Sequence, residues 1–379
     1  MTVQIIREAA RDEGFQLCGI APAVAATGYS DLLRWIDAGY AAEMNYFADR
    51  IDAYEHPRGV LPGARTIVAL AFPYPSGSHA GATSGQGRVA RYAWPGVDYH
   101  DVIHPKLKRI VRVIDEAFPG TKSRGIVDTA PLLEREVAEL AGLGWRAKNT
   151  LLIRPGVGSY FFLACVVTDA DLPVDPPFEA FHCGTCTACL QACPTDAFPQ
   201  PGVLDASKCI SYLTIEHRGV IPVRHREAIG DWLFGCDVCQ EVCPWNRRPT
   251  RRADEDQDAG GFPTPTLSLA ELFDWDEDTF RARFRKTPFW RTRRRGILRN
   301  AAIVLGNQAD AASLAPLTRG LHDVEAIVRG ASAWALGRLS VDVRHLLAER
   351  RSVETDPMVI DEIDAATRQN ATKNKPPSS

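Results

Sequence analysis

Two short runs hold seven of the ten cysteines in this 379-residue sequence. The first reads Cys183-x2-Cys186-x2-Cys189-x3-Cys193-Pro194, and the second Cys236-x2-Cys239-x3-Cys243-Pro244. Thiolates so closely spaced can wrap three corners of a 4Fe-4S cluster, while a fourth, turned away by the proline behind it, ligates a neighbouring cluster. The second run lacks the first cysteine of the usual four, and Cys209, 27 residues before Cys236, makes up the count. Reciprocal exchange then assigns Cys183, Cys186, Cys189 and Cys243 to one cluster and Cys193, Cys209, Cys236 and Cys239 to the other. Thiolate quartets also suit tetrahedral zinc, but zinc sites are usually built from separated pairs, which leaves the close spacing and the prolines unexplained. Cys18 and Cys165 remain over, and Cys165, inside an apolar run, reads as a small buried hydrophobe.

The remaining composition is ordinary. Hydrophobic residues make up 45% and charged residues 24%, which excludes a wholly disordered, collagen-like or coiled-coil chain. Net charge is 44 minus 47, or −3, so a polyanionic partner must be held by a local basic patch. The first residues, MTVQIIREAARDEG, put charges where a secretory signal needs an apolar core and carry no twin-arginine pattern. A cytoplasmic location is expected, and in that reducing compartment clustered thiols serve as metal or redox groups more often than as disulfides. The longest run of hydrophobic-class residues, 160–167, spans eight positions, far short of the roughly 18 to 20 a membrane helix needs.

The elements that must position the thiols follow from periodicity, and the fold class expected is α+β. Residues 1–175 read as an α/β domain, with helices over 2–13, 31–47 and 102–118 and buried strands over 65–72 and 160–167. The Pro-rich LPVDPPF at 172–178 separates it from a bacterial ferredoxin-like two-cluster domain over 176–246. Residues 247–280 read as a linker, opening on four arginines, four acids and two adjacent glycines. A basic helical domain is expected over 281–369 and a disordered tail over 370–379. In the helical part NAAIVLGNQ at 300–308 matches ASAWALGRL at 331–339 with an offset of 31, and Val359 follows Val328 at the same spacing. Such copies look like HEAT-type helix pairs stacking on one another, with an ordinary Ala-rich helical subdomain as the alternative.

The clusters read as an electron wire, and the first domain is where chemistry should be sought. It has no G-x-G-x-x-G after a strand and no Walker loop, the glycines of 77–87 reading as a flexible loop, and no C-x3-C-x2-C run. Polar groups in apolar settings are Arg58, Arg91-Tyr92-Ala93-Trp94, Asp98-Tyr99-His100, Asp128 and Lys148-Asn149. Asp128 follows Gly125-Ile126-Val127 at a strand end, where a carboxylate whose pKa is raised by burial can donate a proton. A carboxylate ahead of a helix can equally cap it, and spacing alone favours Asp128 or Thr129 as a cap.

From 281 to 299 there are nine Lys or Arg residues and no acids, interleaved with Phe284, Phe289 and Trp290. Arginines that neutralise phosphates and aromatics that stack on unpaired bases suit a single-stranded RNA loop. A solvated basic helix face, opposed by the acidic segment 271–278, is an equal reading.

RYA followed by DYH, VDTAPLLEREVAELAGLGW with KNT, the first cysteine run, DASKCISYLTIEHRG and GCDVCQEVCPWN together resemble the epoxyqueuosine reductase family over about 1–250, and more loosely beyond. The resemblance implies a cobalamin-dependent oxidoreductase with two 4Fe-4S clusters and an N-terminal domain similar to that of reductive dehalogenases. Its expected substrate is epoxyqueuosine at the wobble position of a GUN-type tRNA anticodon, reduced to queuosine. It implies Asp128 as proton donor, and Arg58, Trp94, Asp128, Leu152, Leu163, Ser211, Cys236, Asp237, Val238 and Cys239 as cobalamin contacts. His217 matches a tRNA contact, with Arg291, Arg293, Arg294 and Arg295 supplying basic contacts. The loop YAWPGVDYH differs from the family pattern in a proline before the glycine. No D-x-H-x-x-G cobalt loop is present, so cobalamin is expected to bind without a histidine from that motif. An external low-potential electron donor and a monomer are expected.

Two other classes compete. A reductive dehalogenase-like enzyme shares the implied cofactors, but the missing twin-arginine pattern and the basic and repeat segments argue against it. A non-catalytic iron-sulfur electron-transfer protein would purify without cobalamin absorbance.

Overall fold

A computed structural model describes residues 2–76, 81–247 and 266–373. The chain forms two compact units that interleave along the sequence. One comprises Met1–Gly77, Val97–Ser207 and Asp237–Gly260, the other Ser78–Gly96, Lys208–Cys236 and Gly261–Ser379. The edges of these units fall away from the boundaries expected at 175 and 246, and the cysteine region is divided, with Cys209 and Cys236 in the second unit.

The first unit is built on a four-stranded sheet ordered Leu17–Pro22, Thr66–Pro73, Phe161–Thr168, Ser123–Ile126, with every neighbouring pair antiparallel. This corrects the α/β expectation to α+β. Alternation of helix and strand signals along a sequence does not say from which end the chain re-enters the sheet, and here each strand runs opposite to the neighbours it pairs with. Helices cover both faces. Ile103, Leu107, Ile110 and Ile114 of the helix Tyr99–Ala117 pack on Val68, Leu70, Ala164 and Val166. On the other face Val137 and Ala138 of the helix Glu134–Leu140 pack on Ile67, Ala69, Cys165 and Val167. Two-sided burial is why the central strands TIVALAFP and FFLACVVT read as unbroken apolar runs rather than as alternation. Cys165 is 1% exposed, the small core residue expected.

The helices Thr2–Asp12 and Tyr99–Ala117 and both central strands match their expected positions to within a few residues. The helix expected over 31–47 is shorter, Tyr29–Asp37, because Gly39 (φ 74°) and Ala42 (φ 51°) take left-handed backbone that no α-helix continues through.

In the second unit Gln86–Val89 is the middle of three strands, parallel to Trp232–Phe234 and antiparallel to Thr266–Ser268. The rest is helical. Arg293–Gln308 is buried almost all round, which a central helix requires. The offset of 31 is a packing repeat: a Cβ at Gly306 would stand 2.9 Å from Ala335 Cα, and one at Gly337 would stand 2.7 Å from Ala366 Cα. Each glycine admits the backbone of the next helix where any side chain would collide.

The expected linker is ordered from 266 onward, as the strand Thr266–Ser268 and the helices Leu269–Leu272 and Glu277–Phe284. Its residues 248–265 lie outside the described residues, as do 77–80 of the glycine loop and 374–379 of the tail, while 370–373, expected to be disordered, complete the helix Pro357–Lys373, where buried Asn370 bonds the carbonyls of Leu339 and Val341. Among the described residues no helix is long and apolar enough to cross a membrane.

Candidate functional site

Asp128 stands just past the strand Ser123–Ile126 with left-handed backbone, φ 45°. It does not cap the next helix, Glu134–Leu140, whose N-cap position is Leu133. Its backbone N–H instead donates to Glu134 Oε1 at 2.9 Å. Its carboxylate is held from the other side by the start of the helix Tyr99–Ala117: Oδ1 lies 2.7 Å from His100 Nε2, and Oδ2 accepts from the Tyr99 hydroxyl. His100 Nδ1 lies 2.7 Å from Asp98 Oδ1, and the same oxygen accepts the His100 backbone N–H to cap the helix. Tyr99 is braced by stacking on Phe162, ring centroids 4.3 Å apart.

The capping reading of Asp128 is thus corrected, and so is the burial invoked for its proton, since the side chain is 40% exposed. The titration that burial was to supply appears in its neighbours. At His100 burial opposes the charged ring, but hydrogen bonds to Asp128 and Asp98 and their negative charges outweigh it and raise the imidazole to about 9. Burial, then repulsion from Asp128, pushes Glu134 up to about 8.

Cys183, Cys186, Cys189 and Cys243, the quartet assigned to one cluster, line a single cavity of about 260 Å³ together with His182 and Trp245. All four are free thiols. No three His, Cys, Asp or Glu side chains among the described residues gather tightly enough for a single metal ion. Thiols set around a cavity suit a multi-iron cluster better than one tetrahedral ion. The surrounding loops are tied by side chains from the KNT motif: Lys148 Nζ donates to Gly184 O at 2.6 Å and Cys186 O at 2.9 Å, and Asn149 Nδ2 donates to Cys239 O at 3.2 Å. Trp145 Nε1 lies 3.4 Å from Cys183 Sγ, and the Ala197 backbone N–H lies 3.3 Å from Cys193 Sγ, donors of the kind that stabilise thiolate. The second CP run is anchored by a buried polar knot in which Gln240 and Asn246 bond Ser159. Sequence reading did not single out Ser159, which lies far from the cluster cysteines along the chain, and it included Gln240 and Asn246 only as part of the motif GCDVCQEVCPWN.

The remaining candidates of the first unit are Arg58, exposed, Leu152, buried, Leu163, half-buried, and Asp237, Val238 and Cys239 at the helix Val238–Glu241, with Asp237 buried. In the second unit Cys209 precedes the helix Ile210–Ile215, which carries half-buried Ser211, and Cys236 follows Gly235. Trp94 is buried and its Nε1 donates to Val89 O at 2.8 Å. His217 Nε2 lies 3.0 Å from Val220 O.

The basic run divides. Arg299 is 1% exposed and donates to the carbonyls of Leu213, His217 and Gly219. Arg294 is paired with Asp323 and Arg291 with Glu216. Arg293, stacked 4.1 Å over the Trp290 ring, and Arg295 are exposed. Phe284 and Phe289 are core residues, so the expected base-stacking cannot come from them.

Comparison with known proteins now decides the family. Residues 55–129, which include Arg58, Asp98, His100 and Asp128, match a family model described as Epoxyqueuosine reductase QueG, DUF1730. The epoxyqueuosine reductase of Pseudomonas aeruginosa is 41% identical over 345 residues, covering 88% of this chain and 94% of the relative. The chain belongs to the epoxyqueuosine reductase family. The epoxyqueuosine reductase of Escherichia coli is 37% identical over 80% of each chain. Among solved structures, an epoxyqueuosine reductase with a tRNA-Tyr epoxyqueuosine-modified stem loop superposes with a TM-score of 0.88 at 31% identity, covering 98% of this chain and all of the other. The Bacillus subtilis enzyme, solved with its catalytic aspartate loop swung out of the active site, superposes with a TM-score of 0.87 at 31% identity over 97% of this chain and all of the other. Residues 182–246 match a 4Fe-4S double cluster binding domain.

Proposed function

We propose that this oxidoreductase reduces epoxyqueuosine in tRNA to queuosine, as its family name states, with Asp128 as the acid. The observation that carries the reading is the Asp128 carboxylate, gripped by Tyr99 and His100 in the same unit as the cavity lined by Cys183, Cys186, Cys189 and Cys243. Converting an epoxide to an alkene consumes two electrons and two protons and releases water. The protein must therefore bring a strong reductant and a proton donor to one carbon–oxygen bond, and Asp128, held by side chains at both oxygens, is placed to protonate oxygen as that bond breaks.

Cys183, Cys186, Cys189 and Cys243 would hold one 4Fe-4S cluster, and the spacing assigns Cys193, Cys209, Cys236 and Cys239 to the other. Leu152 and Leu163 belong to the same apolar cluster as Ile126 and Ala130, which stand on either side of Asp128 in the sequence. We assign cobalamin to Arg58, Leu152, Leu163, Asp237, Val238 and Cys239 with Asp128 at its edge, and the sequence adds Trp94, Ser211 and Cys236. Bound there, it would supply cobalt of low potential. The Trp94 indole N–H donates to Val89 O, and the Arg91 guanidinium lies over its ring.

The substrate is a tRNA with a GUN-type anticodon, engaged through His217, Arg291, Arg293, Arg294 and Arg295; Arg291, Arg293 and Arg295 are exposed, and of these Arg291 is paired with Glu216. The helical repeat is read as HEAT-like. The protein is taken as a cytoplasmic monomer drawing on an external low-potential donor. The test is anaerobic incubation with reductant, cobalamin and tRNA carrying epoxyqueuosine, scored by mass spectrometry. Queuosine is the expected product, and unchanged epoxyqueuosine with both clusters present would overturn the reading.

A further inference from the structure

We infer that Asp98 and His100 form a proton store that recharges Asp128, so that the proton delivered to substrate oxygen resides on the imidazole between turnovers. The inference rests on the reading of Asp128 as the acid. A carboxylate that accepts hydrogen bonds at both oxygens needs a nearby source of protons if it is to donate turnover after turnover. The geometry provides one. Both ring nitrogens of His100 lie 2.7 Å from a carboxylate oxygen, Nδ1 from Asp98 and Nε2 from Asp128. A neutral ring carries one N–H and satisfies only one of these contacts. The second contact therefore requires one further proton, either on Nε2 or on Asp128, and the two forms differ by a shift along a single hydrogen bond.

Transfer breaks the Nε2–H bond, whose electron pair stays on nitrogen, and forms an O–H bond at Asp128 Oδ1. The ring keeps Nδ1–H, donated to Asp98, which is the tautomer that leaves Nε2 free to accept. Asp128 then gives its proton to oxygen as the carbon–oxygen bond breaks, and the ring, 22% exposed, takes another from solvent. Only protons move through this chain; the two electrons come from the reductant of the proposed reaction. Tyr99 donates to the other oxygen of Asp128, which turns Oδ1 toward the ring. The remaining groups around His100 are Glu134, on the far side of Asp128, and His104, whose ring lies 5.9 Å away and is itself influenced by Asp101 and Lys108. Burial first, then repulsion from His100, lowers His104, so it competes poorly for the stored proton.

The test uses Asp98→Asn in the full chain. Asparagine still caps the helix through its side-chain oxygen, so the fold is retained, while the negative charge behind the ring is lost. NMR of the imidazole nitrogens should show His100 protonated at both positions well above its usual range, and Asp98→Asn should lower that titration by about one unit or more. In single-turnover reduction of the tRNA substrate, the alkaline limb of the rate profile should move down by the same amount, with KM unchanged. His100→Gln should lower the rate by about a hundredfold and abolish that limb. An unmoved limb and an unmoved His100 titration in Asp98→Asn, with Asp128→Asn inactive at every pH, would overturn the proton store and leave Asp128 as the acid. Full turnover by Asp128→Asn would overturn the acid reading itself.

Discussion

The backbone N–H of Asp128 donates to Glu134 Oε1 at 2.9 Å across a turn in which Asp128 is left-handed, φ 45°. Left-handed backbone at a non-glycine residue costs about 1 to 2 kcal/mol, and one hydrogen bond of about 1 kcal/mol offsets much of it. A turn balanced this finely depends on that one contact. Glu134→Ala is expected to free the turn and lower turnover about tenfold while the melting temperature barely moves. Glu134→Gln, whose amide oxygen still accepts the N–H, should keep most of the activity. Steady-state kinetics beside thermal melts of the three proteins checks both.

Stability should fall as pH rises through the neutral range. Glu134, raised to about 8 from 4.5, and His100, raised to about 9 from 6.5, both bind protons more tightly when folded. Each contribution is complete below the unfolded value and is lost as pH climbs through the folded value, over 4.5 to 8 for Glu134 and 6.5 to 9 for His100. Carboxylates held low by arginine, Glu13 and Glu354 among them, finish titrating below this window and leave it flat. Denaturant unfolding at about pH 5.5 and pH 8.5 should find less stability at the higher value, with a smaller difference in Glu134→Gln. Equal or rising stability would contradict the assignment.

Iron should separate the ten cysteines into eight ligands and two bystanders. Cys186→Ser, on the cavity lined by four thiols, is expected to lose about half of the bound iron and of the broad visible absorbance. Cys165→Ala, in the sheet core, should keep all of it at a modest cost in stability. Iron analysis after anaerobic purification reads the difference.

The basic run should divide by function. Arg293→Ala and Arg295→Ala, at exposed positions, are expected to weaken tRNA binding and to reduce its salt dependence by about one phosphate contact each. Arg299→Ala removes a buried guanidinium that serves three carbonyls and should cost about 3 kcal/mol or more of folding stability. Filter binding across a salt series, alongside denaturant unfolding, distinguishes the two effects.

Several features were legible in the residues alone because they are local. The cysteine spacing named the cluster chemistry, since a short loop of thiols at intervals of three is itself the ligand geometry. The unbroken apolar runs located both central strands, because burial on two faces leaves no room for polar residues. The offset of 31 between Gly306 and Gly337 was visible as a repeated pattern, and both glycines stand where a neighbouring helix backbone comes close, which demands a residue without a side chain.

Other features depend on where distant segments meet. The α+β character of the first unit was hidden because strand direction depends on the path of the returning chain, not on strand composition. Nine basic residues look alike in a row, yet Arg299 serves the core while Arg293 and Arg295 face solvent, a distinction set by helix orientation. Asp128 and His100, 28 residues apart, were both visible as polar groups in apolar surroundings, but nothing in either segment announced the other. A strand end and a helix start, packed against the same sheet, bring a carboxylate to an imidazole nitrogen. The sequence by itself determined which chemistry the protein carries; the tertiary structure decided which group can keep the proton, because that depends on charges meeting across space.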